Sequence, residues 1–133
     1  MMTFEVTAQR IDDRGSLVSA KQSALVIHTG MAGRPAALTP VELLLAALSA
    51  CIIKGIERVA PTLGLNFDSV SVELTAHRPA DEARIADISY LITVATQADQ
   101  NKLELLHKNL MKFGTIYNTI KSGTTLTGSI VAK

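Results

Sequence analysis

The strongest constraint on this chain is a single helix signal between Thr39 and Pro61. Thr39 suits an N-cap, Pro40 suits the first helical position, and Glu42 stands three residues after Thr39. That is a capping box with a proline inside it. The run behind it, Leu43 to Ile53, is apolar except for Ser49. It leaves no polar stripe, so the pattern predicts a helix from Pro40 to about Ala60 that is buried on all sides. Pro61 ends it, because proline cannot continue a helix interior. The run falls short of the ~20 residues that span a bilayer, so no membrane is expected.

A helix that is apolar all round needs cover all round, and the rest of the 133 residues must supply it. Before the helix, Phe4, Val6 and Ala8 alternate with polar neighbours and read as a strand. Asp12-Asp13-Arg14-Gly15 is turn chemistry, Leu17-Val18 starts a return strand, and Ser23 to His28 makes a third. Gly30 to Leu38, with two glycines and a proline, reads as a loop. After the helix, Val70, Val72, Leu74 and Ala76 alternate with polar residues, as do Ile88, Tyr90, Ile92 and Val94. The simplest arrangement of these two is an antiparallel hairpin. Asp99 caps a second helix through Leu103, Leu106, Leu110 and Phe113, with Gly114 at its C′ position. A short helix over Thr115 to Lys121 and a strand over Thr124 to Val131 close the chain. The order is that of an α+β protein, one domain over residues 1–133. About six strands cover mainly one face of the apolar helix. A second copy of that helix would cover the other, which predicts an obligate homodimer.

Charge and composition narrow the function. Lysine and arginine number 13 against 12 acidic residues, so no basic excess marks a nucleic-acid binder. Aromatic residues are 4%, too few for a base-stacking platform. The segment Met1-Met2-Thr3-Phe4-Glu5 lacks the basic-then-apolar pattern of a signal peptide, and one cysteine cannot form an internal disulfide. A reducing cytoplasm is therefore the expected compartment. His28, His77 and His107 share no metal-ligand spacing, so neither a metal nor another cofactor is expected. Gly30 to Arg34 lacks the glycine spacing of a phosphate loop, and no Gly-x-Ser-x-Gly elbow occurs.

Cys51 is the one soft nucleophile. Buried cysteines often do no more than pack, so the pattern leaves a packing role and a reactive role both open. On a helix, Lys54 lies about 60° from Cys51 and Arg58 about 20°, two turns on. A nearby cation raises the thiolate fraction of a cysteine. The same two cations also suit the negative end of the helix dipole. Glu42 lies about 180° away from Cys51 and is explained by the capping box. His28, at a strand end, is a further group that folding could bring toward the thiol.

The segment Thr39-Pro40-Val41-Glu42-Leu43-Leu44-Leu45-Ala46-Ala47-Leu48-Ser49-Ala50-Cys51 resembles the central helix of the OsmC/Ohr family (osmotically inducible and organic hydroperoxide resistance proteins). The proline-to-cysteine spacing matches, and the order of elements matches over essentially the whole chain. The resemblance implies antiparallel sheets wrapped around long central helices in an intertwined homodimer. It also implies active sites at the dimer interface, where a cysteine pair reduces organic hydroperoxides. Cys51 matches the peroxide-attacking cysteine. Phe113 to Ile120 matches the segment of the second, resolving cysteine, but Gly114 stands in its place. The family's activating glutamate directly follows the proline; here that position is Val41, and Glu42 is the next residue. The activating arginine would come from the N-terminal strands, as Arg10 or Arg14, with Lys54 as a further thiolate partner. Three functions follow as expectations. One is a one-cysteine peroxidase that needs an external thiol or dithiol. The second is a non-enzymatic dimer that binds a small apolar ligand or a partner. The third is a thiol redox sensor.

Overall fold

A computed structural model describes residues 1–32 and 35–133, so Gly33 and Arg34 of the expected loop lie outside the described residues. The elements run β1 (Thr7–Arg10), β2 (Gly15–Ala20), β3 (Ser23–His28), α1 (Pro40–Val59), β4 (Ser69–His77), β5 (Asp87–Ala95), α2 (Gln100–Phe113), α3 (Thr115–Ile120) and β6 (Thr125–Ala132). The chain divides into two compact units, Met1–Leu44 and Leu45–Lys133. α1 begins in the first and continues in the second.

In the first unit, β1, β2 and β3 form an antiparallel meander. The Asp12 carboxylate accepts the backbone N–H of Arg14 at 2.8 Å and of Gly15 at 3.0 Å, which makes the expected turn. β1 starts at Thr7, three residues later than the alternation at Phe4 predicts. Thr7 pairs with Ser19, so Val6 falls opposite Ala20, the last residue of β2, and Phe4 has no strand residue opposite it. Both stay exposed, as do Leu17, Leu25 and Val26 on the sheet. After β3 the chain turns back, and the His28 N–H donates to the Leu38 carbonyl at 2.8 Å. The capping box then forms as read. Glu42 Oε1 accepts the Thr39 N–H at 2.9 Å, and Thr39 Oγ1 accepts the Glu42 N–H at 3.2 Å.

Within one chain α1 is buried along a stripe, not all round. Leu48, Ile52, Gly55, Ile56 and Val59 are buried. Val41, Leu44, Ala47, Ala50 and Ile53, at every third position, are exposed. Pro61 falls in a 3-10 turn over Ala60–Leu63, and Gly64 closes it with φ 64°, a left-handed conformation that suits glycine.

The second unit holds the core. β4 and β5 form the expected antiparallel hairpin. β6 joins the other edge of β5 in parallel, so this sheet is mixed where an antiparallel one was expected. The cause is the connection: α2 and α3 carry the chain back across the sheet before β6 starts, and a crossover of that kind returns a strand in the same direction. Ile88, Tyr90, Ile92 and Val94 point from β5 into the core. Leu103, Leu106 and Leu110 of α2 meet them there with Leu48, Ile52 and Ile56 of α1. α2 is capped as read, with Asp99 Oδ1 accepting the Lys102 N–H at 2.9 Å.

Candidate functional site

Cys51 lies midway along α1, on the flank between its buried and exposed stripes, and is partly buried. One turn further, at the next buried position, Gly55 leaves a notch. A Cβ there would lie 2.8 Å from Leu110 Cδ2, so a side chain at 55 would make the end of Leu110 shift, and glycine leaves it room against α1. The close approach continues at the end of α2. A Cβ on Gly114 would lie 3.5 Å from Cys51 Sγ, 3.3 Å from Tyr117 Cβ and 3.0 Å from the Leu110 carbonyl oxygen. Gly114 has φ −77°, which any residue adopts. Its role is thus close approach and not the left-handed C′ turn that its position suggested.

Among the described residues, Cys51 Sγ takes part in no hydrogen bond. Lys54 is exposed on the same unit, one turn on. Arg10 closes β1 opposite Ser16, and exposed Arg14 sits in the β1–β2 turn; both belong to the first unit. A side chain at Gly114 is therefore the group that would meet both the sulfur and Tyr117. His28 is also in the first unit, 8% exposed, and among the described residues its Nε2 has no hydrogen-bond partner. Glu42 remains at its cap, where the backbone N–H and then the hydroxyl of Thr39 hold its carboxyl below the ordinary range.

Behind Gly114 lies a polar cluster that periodicity alone does not announce. Tyr90 on β5 is 6% exposed, and its Oη lies 2.7 Å from His107 Nε2 and 3.0 Å from Met111 Sδ. The hydroxyl has one proton. When it is given to Met111, His107 must donate from Nε2. Burial, helped by the nearby Tyr117, pushes the Tyr90 phenol up to about 12. Burial likewise holds His107 below its ordinary value, against a weaker opposite pull from Glu104. Gly128, opposite Tyr90 on β6, makes room for the ring: a Cβ there would lie 2.2 Å from Tyr90 Cε2. The spacing of His107 and Met111, one helical turn apart, was the available signal for this cluster.

Among the described residues no group of three or more His, Cys, Asp or Glu could hold a metal ion, and no helix is long and apolar enough to cross a membrane. The site offers instead a single thiol at a helix–helix junction, beside a position where a side chain is missing.

Comparison with solved structures places this arrangement in a known fold. An OsmC-like protein from Mycoplasma pneumoniae matches with a TM-score of 0.89 at 14% identity, covering 98% of this chain and 97% of that one. An organic hydroperoxide resistance protein OsmC from Legionella pneumophila matches with a TM-score of 0.77 at 18% identity, covering 98% and 97%. The organic hydroperoxide resistance protein OhrB of Bacillus subtilis matches with a TM-score of 0.69 at 15% identity, covering 98% of each chain. No curated protein matches the chain in sequence. The sequence model of the OsmC-like protein family, however, matches residues 32–128, nearly three quarters of the chain and the whole of α1 with Cys51 and the Gly114 segment. The chain therefore belongs to the OsmC-like protein family, and its fold is the α+β fold of OsmC and Ohr proteins.

Proposed function

We propose that this protein, with residues 1–133 acting as one OsmC-like domain, is a one-cysteine, thiol-dependent peroxidase acting on organic hydroperoxides. The carrying observation is the 3.5 Å approach between Cys51 Sγ and a Cβ at position 114. By the resemblance of the Phe113 to Ile120 segment, position 114 is where family enzymes carry their second cysteine. The Cys51 thiolate attacks the distal peroxide oxygen. The S–O bond forms as the O–O bond breaks, and the alcohol leaves with a proton. Cys51 is left as a sulfenic acid. A first external thiol condenses with it, releasing water and leaving a mixed disulfide. A second external thiol restores Cys51 and departs as the external disulfide. No cofactor takes part. A basic group, Lys54 or one of Arg10 and Arg14, holds the thiolate in this reading. The reducing thiol pool places the work in the cytoplasm.

The working form in this reading is a homodimer. Its support is the exposed stripe Val41, Leu44, Ala47, Ala50 and Ile53 on α1. The two alanines let a second helix approach closely, and the larger residues flank them. A second function, a dimeric module that binds an apolar ligand or partner, is favoured by one fact: Gly114 and Val41 replace the resolving cysteine and the activating glutamate. The experiment is hydroperoxide consumption with a dithiol reductant, comparing wild type with Cys51→Ser. Loss of turnover in the variant supports the peroxidase. Equal rates would end it.

A further inference from the structure

Beside the α1–α2 junction, the second unit holds a cavity of about 410 Å³ lined by Arg58, Val59, Thr62, Asn109 and Phe113. Its volume lies within the ~300–1,000 Å³ of small-molecule sites, which typically combine apolar walls with a few polar groups. Val59, 6% exposed, is its floor, and Phe113 is a wall that stays 53% exposed. A phenylalanine left this open beside a cavity is apolar surface that a ligand would cover.

The polar groups are complementary to an anion. Among the described residues, the Arg58 guanidinium makes no ion pair and no hydrogen bond, so its donors are all available. Glu57 precedes it directly, and successive helix residues point apart. The Asn109 amide is likewise unengaged among the described residues. Thr62 Oγ1 already donates to the Val59 carbonyl at 2.6 Å, so it has only lone pairs to offer. The Lys112 ammonium, 5.4 Å from the centre of the Phe113 ring, adds a second positive charge at the rim. A guanidinium fork matches a carboxylate in two parallel hydrogen bonds, and the apolar wall asks for a hydrocarbon body.

We propose that this cavity binds organic carboxylates, with the carboxylate on Arg58 and Asn109 and the hydrocarbon against Val59 and Phe113. The binding is separate from the peroxidase reading and needs no reaction at Cys51. The test is a titration of the full ¹⁵N-labelled chain with octanoate, followed by amide chemical shifts, with octan-1-ol and inorganic phosphate as comparison ligands. Saturable shifts centred on Arg58, Val59, Thr62, Asn109 and Phe113 are expected, with octanol and phosphate each at least tenfold weaker. Arg58→Gln should weaken octanoate at least tenfold, and Arg58→Lys by less. The spectrum of each variant shows directly that it is folded. Octanol binding as well as octanoate, phosphate binding as well as octanoate, or shifts centred elsewhere would overturn the proposal. Hydroperoxide turnover is measured separately on the wild type, so failure of either idea leaves the other readable.

Discussion

The backbone of Gly114 lies against the sulfur of Cys51, close enough that a methyl group at 114 would stand 3.5 Å from Sγ. The proposed function takes this contact as the place of a second cysteine. A thiol placed at 114 needs little backbone movement to reach Cys51. Gly114→Cys is therefore expected to form an intrachain disulfide on mild oxidation, seen as loss of both free thiols and a two-proton drop in intact mass. Closing the long loop between 51 and 114 should stabilise the oxidised form by roughly 2–4 kcal/mol, less the strain of a Cβ 3.0 Å from the Leu110 carbonyl.

The Tyr90–His107–Met111 cluster predicts a pH dependence with a definite sign. Burial lowers the folded-state value of His107 below its ordinary 6.5, so at pH just below that value the unfolded chain binds a proton that the folded chain refuses. Stability is therefore fully present above about pH 6.5 and falls as pH drops through the lowered folded value. Thermal unfolding followed from pH 7.5 to 5 should show a falling Tm. In His107→Gln the slope over this window should flatten, since the titrating group is gone. Tyr90→Phe removes the hydroxyl shared with His107 and Met111 and should cost about 1–2 kcal/mol at pH 7.

Glu42 is a cap, and its substitution separates capping from catalysis. Thr39→Ala removes the acceptor for the Glu42 N–H and should destabilise the protein by about 1 kcal/mol. Glu42→Gln keeps an amide oxygen for the Thr39 N–H and should leave hydroperoxide turnover within about twofold of wild type, while chemical denaturation shows only a small loss. A large loss of turnover would contradict this and give Glu42 a catalytic part.

The proposed dimer takes its contact from the exposed stripe of α1. Ala50 is exposed on the same stripe as Ala47 and Ile53. Ala50→Arg puts a long charged side chain where a second helix would have to pack. Sedimentation velocity should find wild type as a dimer and the variant as a monomer at the same concentration.

Much of this was legible in the sequence because its signals are local. The capping box, the alternation in β4 and β5, and the Asp99 cap each depend on residues within a few positions, and each formed as read. The parallel pairing of β6 was not legible, because alternation does not carry strand direction. Nor was the late start of β1, which depends on where β2 ends. At the site, the Cys51 position was plain, but the reason for Gly114 was not. It reads as a helix C′ glycine, whereas the structure uses it to bring backbone against the sulfur and against Tyr117. Contacts between residues more than sixty positions apart have no local trace. The same holds for Tyr90 over Gly128, a pair that only the β5–β6 register brings together.

In the proposed function Cys51 turns over hydroperoxide alone and relies on an outside thiol to be reset. The most direct measurement is intact mass after one equivalent of an organic hydroperoxide, with and without a monothiol added afterwards. A gain of one oxygen that maps to Cys51 is expected, matched by one equivalent of alcohol. Added thiol should convert it first to a mixed disulfide and then back to the starting mass, and Cys51→Ser should show none of these steps. An unmodified Cys51 with the hydroperoxide left intact would contradict it.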